Sequence, residues 1–136
     1  MWGSMVDLCI ENLLWYMVLQ ALSGNKWKIE FAYQYFVEGK LVAQIARENG
    51  KDRRHVQHII EKFKTEGCTS QTVRYILSKL YDKILELEPV AIPINEEYVR
   101  CKLCGNTFYR YGFWRHLEWR HCDYVYTIVD RLRRML

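Results

Sequence analysis

The sequence predicts a mainly α protein with a small ββα unit near its C-terminus. Apolar residues recur at helical spacing along most of residues 1–88, and cysteine and histidine residues cluster between positions 101 and 122. Half of the 136 residues are hydrophobic, which allows a modest core and makes a disordered chain improbable. A chain of this length is one ordinary domain or two very small ones.

The first predicted helix runs from about Val6 to Leu22 and is apolar around much of its circumference. Asp7 and Glu11 interrupt it, so it falls short of the roughly 20 uninterrupted apolar residues that a membrane span requires. We therefore expect no contact with a membrane. A helix of this kind needs burial on more than one side, and the second side could be another subunit.

Four more helices are predicted before residue 88. They cover about ten residues ending before Gly39, then residues 41–49, 52–65 and 69–88. Asp52 is the expected N-cap of the third of these, and Thr69 or Ser70 that of the fourth. Two prolines then break the periodicity, so residues 89–97 are predicted to be a linker between a helical domain (1–88) and a second unit (98–136).

Ala46, Gly50 and Val56 have the spacing of two helices joined by a tight turn. The small residue allows close approach, the glycine takes a left-handed conformation, and the aliphatic residue closes the wedge between the helices. On these residues, the stretch 41–65 resembles the helix-turn-helix family of DNA-binding domains. Asn49 and Lys51 flank the glycine where that family commonly has apolar residues.

The resemblance implies that residues 52–65 form a recognition helix for double-stranded DNA. Its outward positions then carry arginine and glutamine, which can make bidentate contacts with base edges in the major groove. Lysines near both ends could reach phosphates. The expected DNA-binding residues of this helix are Lys51, Arg53, Arg54, Gln57, His58, Lys62 and Lys64.

Cys101 and Cys104 have the two-residue spacing that lets two thiolates bind one tetrahedral ion, and His116 and His121 follow. Thiolate and imidazole ligands favour Zn²⁺ over cations that prefer oxygen. The stretch from 98 to 122 resembles the C2H2 zinc-finger family. That resemblance implies that Phe108 and Phe113 form a small apolar core, although one residue is missing between the second cysteine and the first histidine.

Residues five apart on an ideal helix are about 140° apart around its axis, so His116 and His121 can share an ion only if the last turn is distorted. Cys122 is the alternative fourth ligand. Four strong ligands leave no position open for water, so we expect a structural metal. No nucleophile or carboxylate cluster is visible, and we expect neither enzymatic activity nor a small-molecule substrate.

The positions that contact DNA in the C2H2 family correspond roughly to Tyr109, Tyr111, Gly112 and Arg115 in this sequence. Two tyrosines and a glycine are poorly suited to recognising bases. Arg110 and Arg115 are expected to contact phosphates. The sequence leaves two roles open for Trp114 and Trp119. They could contact a protein partner, or they could pack on the last helix. That last helix, capped by Asp123, could be a dimer element, a packing strut or a phosphate-binding tail.

The distribution of charge indicates the kind of partner, and the cysteine content indicates the cellular compartment. Residues 26–66 carry nine Lys/Arg against six Asp/Glu, and residues 98–136 carry eight against three, so the basic blocks coincide with the two motifs. The five cysteines are an odd number and three of them crowd around histidines. We therefore expect an intracellular protein, in the cytoplasm or a host cytoplasm, with Cys9 and Cys68 as buried or free thiols.

These observations predict a sequence-specific double-stranded DNA-binding protein and transcriptional regulator that acts as a homodimer, because one short recognition helix rarely gives enough affinity. The chain resembles the compact regulators of archaea and their viruses. The alternative is a protein-interaction module, in which the helical domain dimerises and the finger binds a protein partner.

Overall fold

The computed structural model describes residues 5–136 and confirms a mainly α chain with a small ββα unit. Seven helices and one three-stranded antiparallel sheet, in the order β1-β2-β3, make up this part of the chain. The elements are α1 (Met5–Leu22), α2 (Lys26–Phe36), α3 (Val42–Glu48), α4 (Arg53–Gly67), α5 (Ser70–Leu85), β1 (Ala91–Pro93), β2 (Tyr98–Cys101), β3 (Thr107–Tyr109), α6 (Phe113–Arg120) and α7 (Cys122–Arg133).

Helix α1 is the central element of the core. It packs against α4 and α5 on one side and against α7 on another, which explains why apolar residues surround so much of it. Within residues 5–136, α1 alone has the length and composition to cross a membrane, yet half of that segment is buried inside the protein. Helix α7 of the same chain covers its second side.

The periodic apolar residues of α4 and α5 face this core as predicted. Val56, Ile59, Ile60 and Phe63 of α4 are all buried. The predicted caps are present as well, since the side chain of Asp52 accepts a hydrogen bond from the backbone N–H of Arg54. The side chain of Thr69 caps α5 in the same way. These caps satisfy backbone donors that a helix start would otherwise leave unpaired.

Residues 89–97, the predicted linker, contribute the first strand of the sheet. Ala91–Pro93 pairs with β2 in antiparallel register, and the backbone N–H of Val90 donates to the carbonyl of Leu22. The buried residues on either side of this segment form one continuous cluster. Helix α5 ends at Leu85, before both prolines, and Val90, which lies between them, anchors this segment to α1.

Helix α7 is a packing strut against α1. Val125, Ile128, Val129 and Leu132 are buried, and the Arg133 guanidinium lies 2.9 Å from a Glu11 carboxylate oxygen. The expected Asp123 cap is wrong: the helix begins at Cys122, its N-cap position is His121, and Asp123 lies in the first turn. The helix can start only after the chain has changed direction at His121, which is drawn towards the two cysteines.

Cys9 and Cys68 form a disulfide, so the expectation of buried or free thiols is wrong. Their Cα atoms are 5.8 Å apart although 59 positions separate them, because α1 passes beside the turn between α4 and α5. Disulfides persist in oxidising compartments and inside the cells of hyperthermophiles. The pairing therefore removes one argument for a reducing compartment.

Replacing Gly67 with alanine is expected to destabilise the protein by about 1–3 kcal/mol through overpacking. A Cβ at this position would lie 2.5 Å from Cγ2 of Val73, whose branched side chain cannot rotate away without cost. Urea denaturation followed by circular dichroism measures the free energy of unfolding. Ser78→Ala, at an exposed position of α5, serves as control, and equal stability of the two variants would contradict the close contact.

Candidate metal centre and the neighbouring basic surface

Cys101, Cys104, His116 and His121 converge on one point. Their ligand atoms all lie within 4.8 Å of one another. Sγ of Cys101 is 3.6 Å from Nε2 of His121, and Sγ of Cys104 is 3.4 Å from Nε2 of His116. In a tetrahedral zinc site, with Zn–S bonds of about 2.3 Å and Zn–N bonds of about 2.0–2.1 Å, sulfur and nitrogen ligands lie about 3.5 Å apart. The group can therefore hold a metal ion, and its dimensions are compatible with zinc.

A tight turn between β2 and β3 brings the two cysteines together. The backbone N–H of Gly105 donates to the carbonyl of Cys101, and the N–H of Cys101 donates to the carbonyl of Asn106. Gly105 has a φ of +79°, a conformation that residues with a Cβ rarely adopt. The chain therefore turns at this glycine between the two strands, as the predicted ββα unit requires, and the turn holds both thiols on the same side of the chain.

The two histidines reach the site because α6 ends between them. His116 lies within the helix, whereas His121 has φ and ψ of −129° and 31° and lies between α6 and α7. This break removes the angular mismatch of a five-residue spacing on a continuous helix. Cys122, the alternative ligand, is an exposed free cysteine outside the group of four.

The pKa values of three of these residues are shifted from their ordinary values. Burial lowers the pKa of His116, and the neighbouring His121 and Arg120 lower it further, so the neutral, metal-binding imidazole is favoured. A backbone hydrogen bond from Asn106 is the main cause that lowers the pKa of the Cys104 thiol. Burial raises the pKa of the Cys101 thiol, so a bound cation would be the natural counter-charge for its thiolate.

A small apolar layer supports the site, as the sequence predicted. Phe113 and Leu117 of α6 are buried, and Phe108 of β3 stacks on the His116 ring with centroids 3.8 Å apart. Phe108 also meets the edge of the Phe113 ring. Val99 of β2 joins this layer from the next strand. The layer contains few residues, so it cannot account for a stable fold by itself.

Helices α3 and α4 form a helical hairpin that exposes the outer face of α4. Gly50 has a φ of +62°, and Ala46 and Val56 are buried between the helices, as their spacing predicted. The predicted contact residues Arg53, Arg54, Gln57, His58 and Lys64 are all exposed. Within residues 5–136, the side chains of both arginines and of Lys64 have neither an ion pair nor a hydrogen bond.

The other predicted contact residues are partly engaged within the protein. Lys62 pairs with Glu66 at 2.9 Å, and Gln57 donates a hydrogen bond to Glu61. Lys51 lies 5.5 Å from the centroid of the Trp27 ring. On the finger, Arg110 lies against the Tyr111 ring and Arg115 against the Trp114 ring, at 5.8 Å and 5.3 Å.

A cleft of about 440 Å³ lies between α1, α4 and α6. His58 and Lys62 line it from α4, and Trp114 and Glu118 line it from α6. The indole N–H of Trp15, on α1, donates to a carboxylate oxygen of Glu118 at 2.8 Å. The finger helix and the exposed side of α4 are thus held beside one another, with Trp114 partly buried and Trp119 84% exposed.

Sequence reasoning did not identify the residues that join the finger to the helical part of the chain. Trp15 and Glu118 are 103 positions apart, and no local pattern marks them as partners. Trp27 was also missed, although Lys51 and His55 both lie against its ring. The signal available for Trp27 was a tryptophan between two lysines at the start of a predicted helix.

Comparison with known proteins gives no relative: no protein-family model, no curated protein and no solved structure matches the chain.

Proposed function

We propose that the protein is a sequence-specific double-stranded DNA-binding protein and a transcriptional regulator, with α4 as its recognition helix. The observation that carries the proposal is the outer face of α4, where Arg53, Arg54 and Gln57 are exposed near the start of the helix. Both arginine side chains are available for a partner. Guanidinium and amide groups in this position are the ones that can read base edges in the major groove.

The packing around α4 supports this role. A helix that enters a DNA groove must be held rigidly on one face while its other face stays exposed to solvent. The buried residues Val56, Ile59 and Phe63 hold α4 to the core in this way. Gly50, with its positive φ, joins α3 to α4 in a tight turn, which is the connection that a helix-turn-helix requires. Lys51 and Lys64, at the two ends, are exposed and suited to phosphate contacts.

We propose further that the metal is zinc and that its role is structural. A complete set of two thiolates and two imidazoles fills the four positions of a tetrahedral ion, so none remains for a reacting water. The zinc would fix β2, β3 and α6, with Arg110 and Arg115 on the exterior for phosphate contacts. The finger then serves as an anchor beside α4, and α4 reads the sequence.

Two further proposals follow from DNA binding. One α4 helix offers few base contacts, so a homodimer on paired half-sites would supply the affinity and specificity of a regulator. An intracellular location suits a DNA-binding role, and a structural disulfide is compatible with it in the cells of hyperthermophiles.

The second candidate is a protein-interaction module, and Trp119 favours it. This side chain is 84% exposed on α6, and tryptophan is enriched at the centres of protein interfaces. In that case the finger would bind a protein partner and the exposed arginines of α4 would be a solvated face. Salt dependence distinguishes the two, because phosphate contacts make DNA affinity fall steeply with salt.

The double variant Arg53→Ala/Arg54→Ala is expected to bind operator DNA about 10- to 100-fold more weakly, since a bidentate base contact is worth about 1–3 kcal/mol. The operator would first be selected from a random duplex pool, and affinities measured by gel shift at several salt concentrations. Arg74→Ala/Lys79→Ala removes the same charge from exposed positions of α5 and is the matched control. Absence of duplex binding at low salt, or equal losses in both double variants, would refute recognition by α4.

A further inference from the structure

The two strands of the finger hairpin turn one face towards α6 and the other away from it. Side chains alternate along a strand, and Val99 and Cys101 of β2 are buried, so Tyr98 and Arg100 face outward. On β3, Phe108 packs inward, and Thr107 and Tyr109 face outward. The outer face of the hairpin is therefore made of Tyr98, Arg100, Thr107 and Tyr109.

Two tyrosines lie side by side on this outer face. Tyr98 and Tyr109 are directly opposed in the register of β2 and β3, with ring centroids 5.1 Å apart. They are 37% and 56% exposed. Tyr111, two residues after β3, is 74% exposed and has Arg110 against its ring. Exposed aromatic rings grouped in this way form a surface on which other flat groups can stack.

The charge around the rings favours a polyanion. Residues 98–122 contain five Lys or Arg and one acidic residue, Glu118, which is held by Trp15 on the other side of the finger. Arg100 of β2 is exposed, lies opposite Thr107 in the register of the hairpin, and has no acidic partner in the described chain. The nearest acids in sequence are Glu96 and Glu97, in the loop before β2. The carbonyl of Glu96 accepts a hydrogen bond from Arg110.

We propose that the outer face of the hairpin binds single-stranded nucleic acid, with bases stacked on Tyr98 and Tyr109 and phosphates held by Arg100 and Arg110. Only unpaired bases offer their flat faces to a protein ring, because the bases of a duplex stack on one another. This face is opposite the finger helix and separate from α4. The two proposals share Arg110 for phosphate contacts, but the stacking on Tyr98 and Tyr109 can be tested separately from duplex recognition by α4.

The chemistry of the surface also decides against a protein as the preferred occupant. Tyrosine and arginine are common in protein interfaces, but the core of such interfaces is depleted in charge and rich in apolar residues. Here two paired tyrosine rings lie on the same face as Arg100, and Arg110 follows β3 directly, which is the combination of a stacking platform with phosphate contacts.

The test is fluorescence anisotropy of the full-length, zinc-loaded protein with a labelled 12-nucleotide oligothymidine, and with a 12-base-pair duplex for comparison. We expect Tyr98→Ala/Tyr109→Ala to weaken single-strand binding by about 10- to 100-fold, and Tyr98→Phe/Tyr109→Phe to retain it, since stacking needs the ring and not the hydroxyl. Tyr75→Ala/Tyr124→Ala, at positions of α5 and α7 that are 44% and 42% exposed, is the matched control.

A second measurement does not depend on the alanine variant keeping its fold. Photo-crosslinking of the unmodified protein to an oligonucleotide that contains 5-iododeoxyuridine, followed by mass spectrometry, should mark Tyr98 or Tyr109. Crosslinks confined to other residues, no binding of the single strand at low salt, or retained affinity in the alanine variant would overturn the proposal. So would capture of a protein at this face without any affinity for the oligonucleotide.

Discussion

Removing the proposed zinc ion is expected to unfold β2, β3 and α6 while α2 to α5 stay helical. The apolar layer around Phe108, Phe113 and Leu117 is too small to hold these elements by itself, whereas structural zinc contributes about 10–16 kcal/mol in zinc-finger peptides. The purified protein should contain one zinc per chain by elemental analysis. After treatment with a chelator, hydrogen exchange should become fast between residues 98 and 121 and remain slow in α5.

The same result is expected for Cys101→Ser/Cys104→Ser, which removes both thiolate ligands. Cys122→Ser is the matched control, because Cys122 is also a cysteine in this region but lies outside the group of four. It should keep both its zinc and its fold. Full zinc content in the double variant, or loss of zinc from Cys122→Ser alone, would refute the assignment of the ligands.

Loss of the disulfide is expected to lower the free energy of unfolding by about 2–4 kcal/mol, as is typical when a long loop is opened. The bond joins residues 59 positions apart and ties the first turns of α1 to the end of α4. The double variant Cys9→Ala/Cys68→Ala removes it. Urea denaturation measures the difference, and titration of the denatured, metal-free protein should find three free thiols in the wild type.

Backbone strain at Cys68 supplies the control for that measurement. Cys68 has a φ of +69°, the one positive φ at a non-glycine residue in the described chain. Cys9→Ala/Cys68→Gly should therefore be more stable than Cys9→Ala/Cys68→Ala by about 1 kcal/mol, because glycine adopts this conformation without a clash. Unchanged stability in both variants would mean that the disulfide does not constrain the fold.

The helices and the metal ligands could be predicted because both depend on local spacing. Val56, Ile59 and Phe63 recur with the period of a helix and therefore share a face wherever that helix packs. Cys101 and Cys104 lie within one turn, so two residues of separation are enough to direct both at one ion. The spacing also showed that a continuous helix could not direct both His116 and His121 at that ion, and the chain meets this requirement by ending α6 before His121.

The features that sequence could not predict depend on contacts between distant parts of the chain. Strand β1 has three residues and follows a proline, and it exists because β2 offers hydrogen bonds beside it. The pairing of Cys9 with Cys68 depends on how α1 crosses the turn between α4 and α5. The second side of α1 is likewise covered by α7, from a distant part of the chain, whereas from the sequence that side could be covered by another subunit.

The packing of α7 on α1 has a consequence for the order in which the protein folds. Arg133 contacts Glu11, so the ion pair that joins these helices closes a loop of more than a hundred residues. During synthesis α1 emerges first, and it can dock with α4 and α5 while α7 is still inside the ribosome. One apolar side of α1 then stays uncovered until α7 has been made. The packing of α1 is therefore complete only after α7 has emerged, and a ribosome that stalls before residue 122 would leave an aggregation-prone helical intermediate.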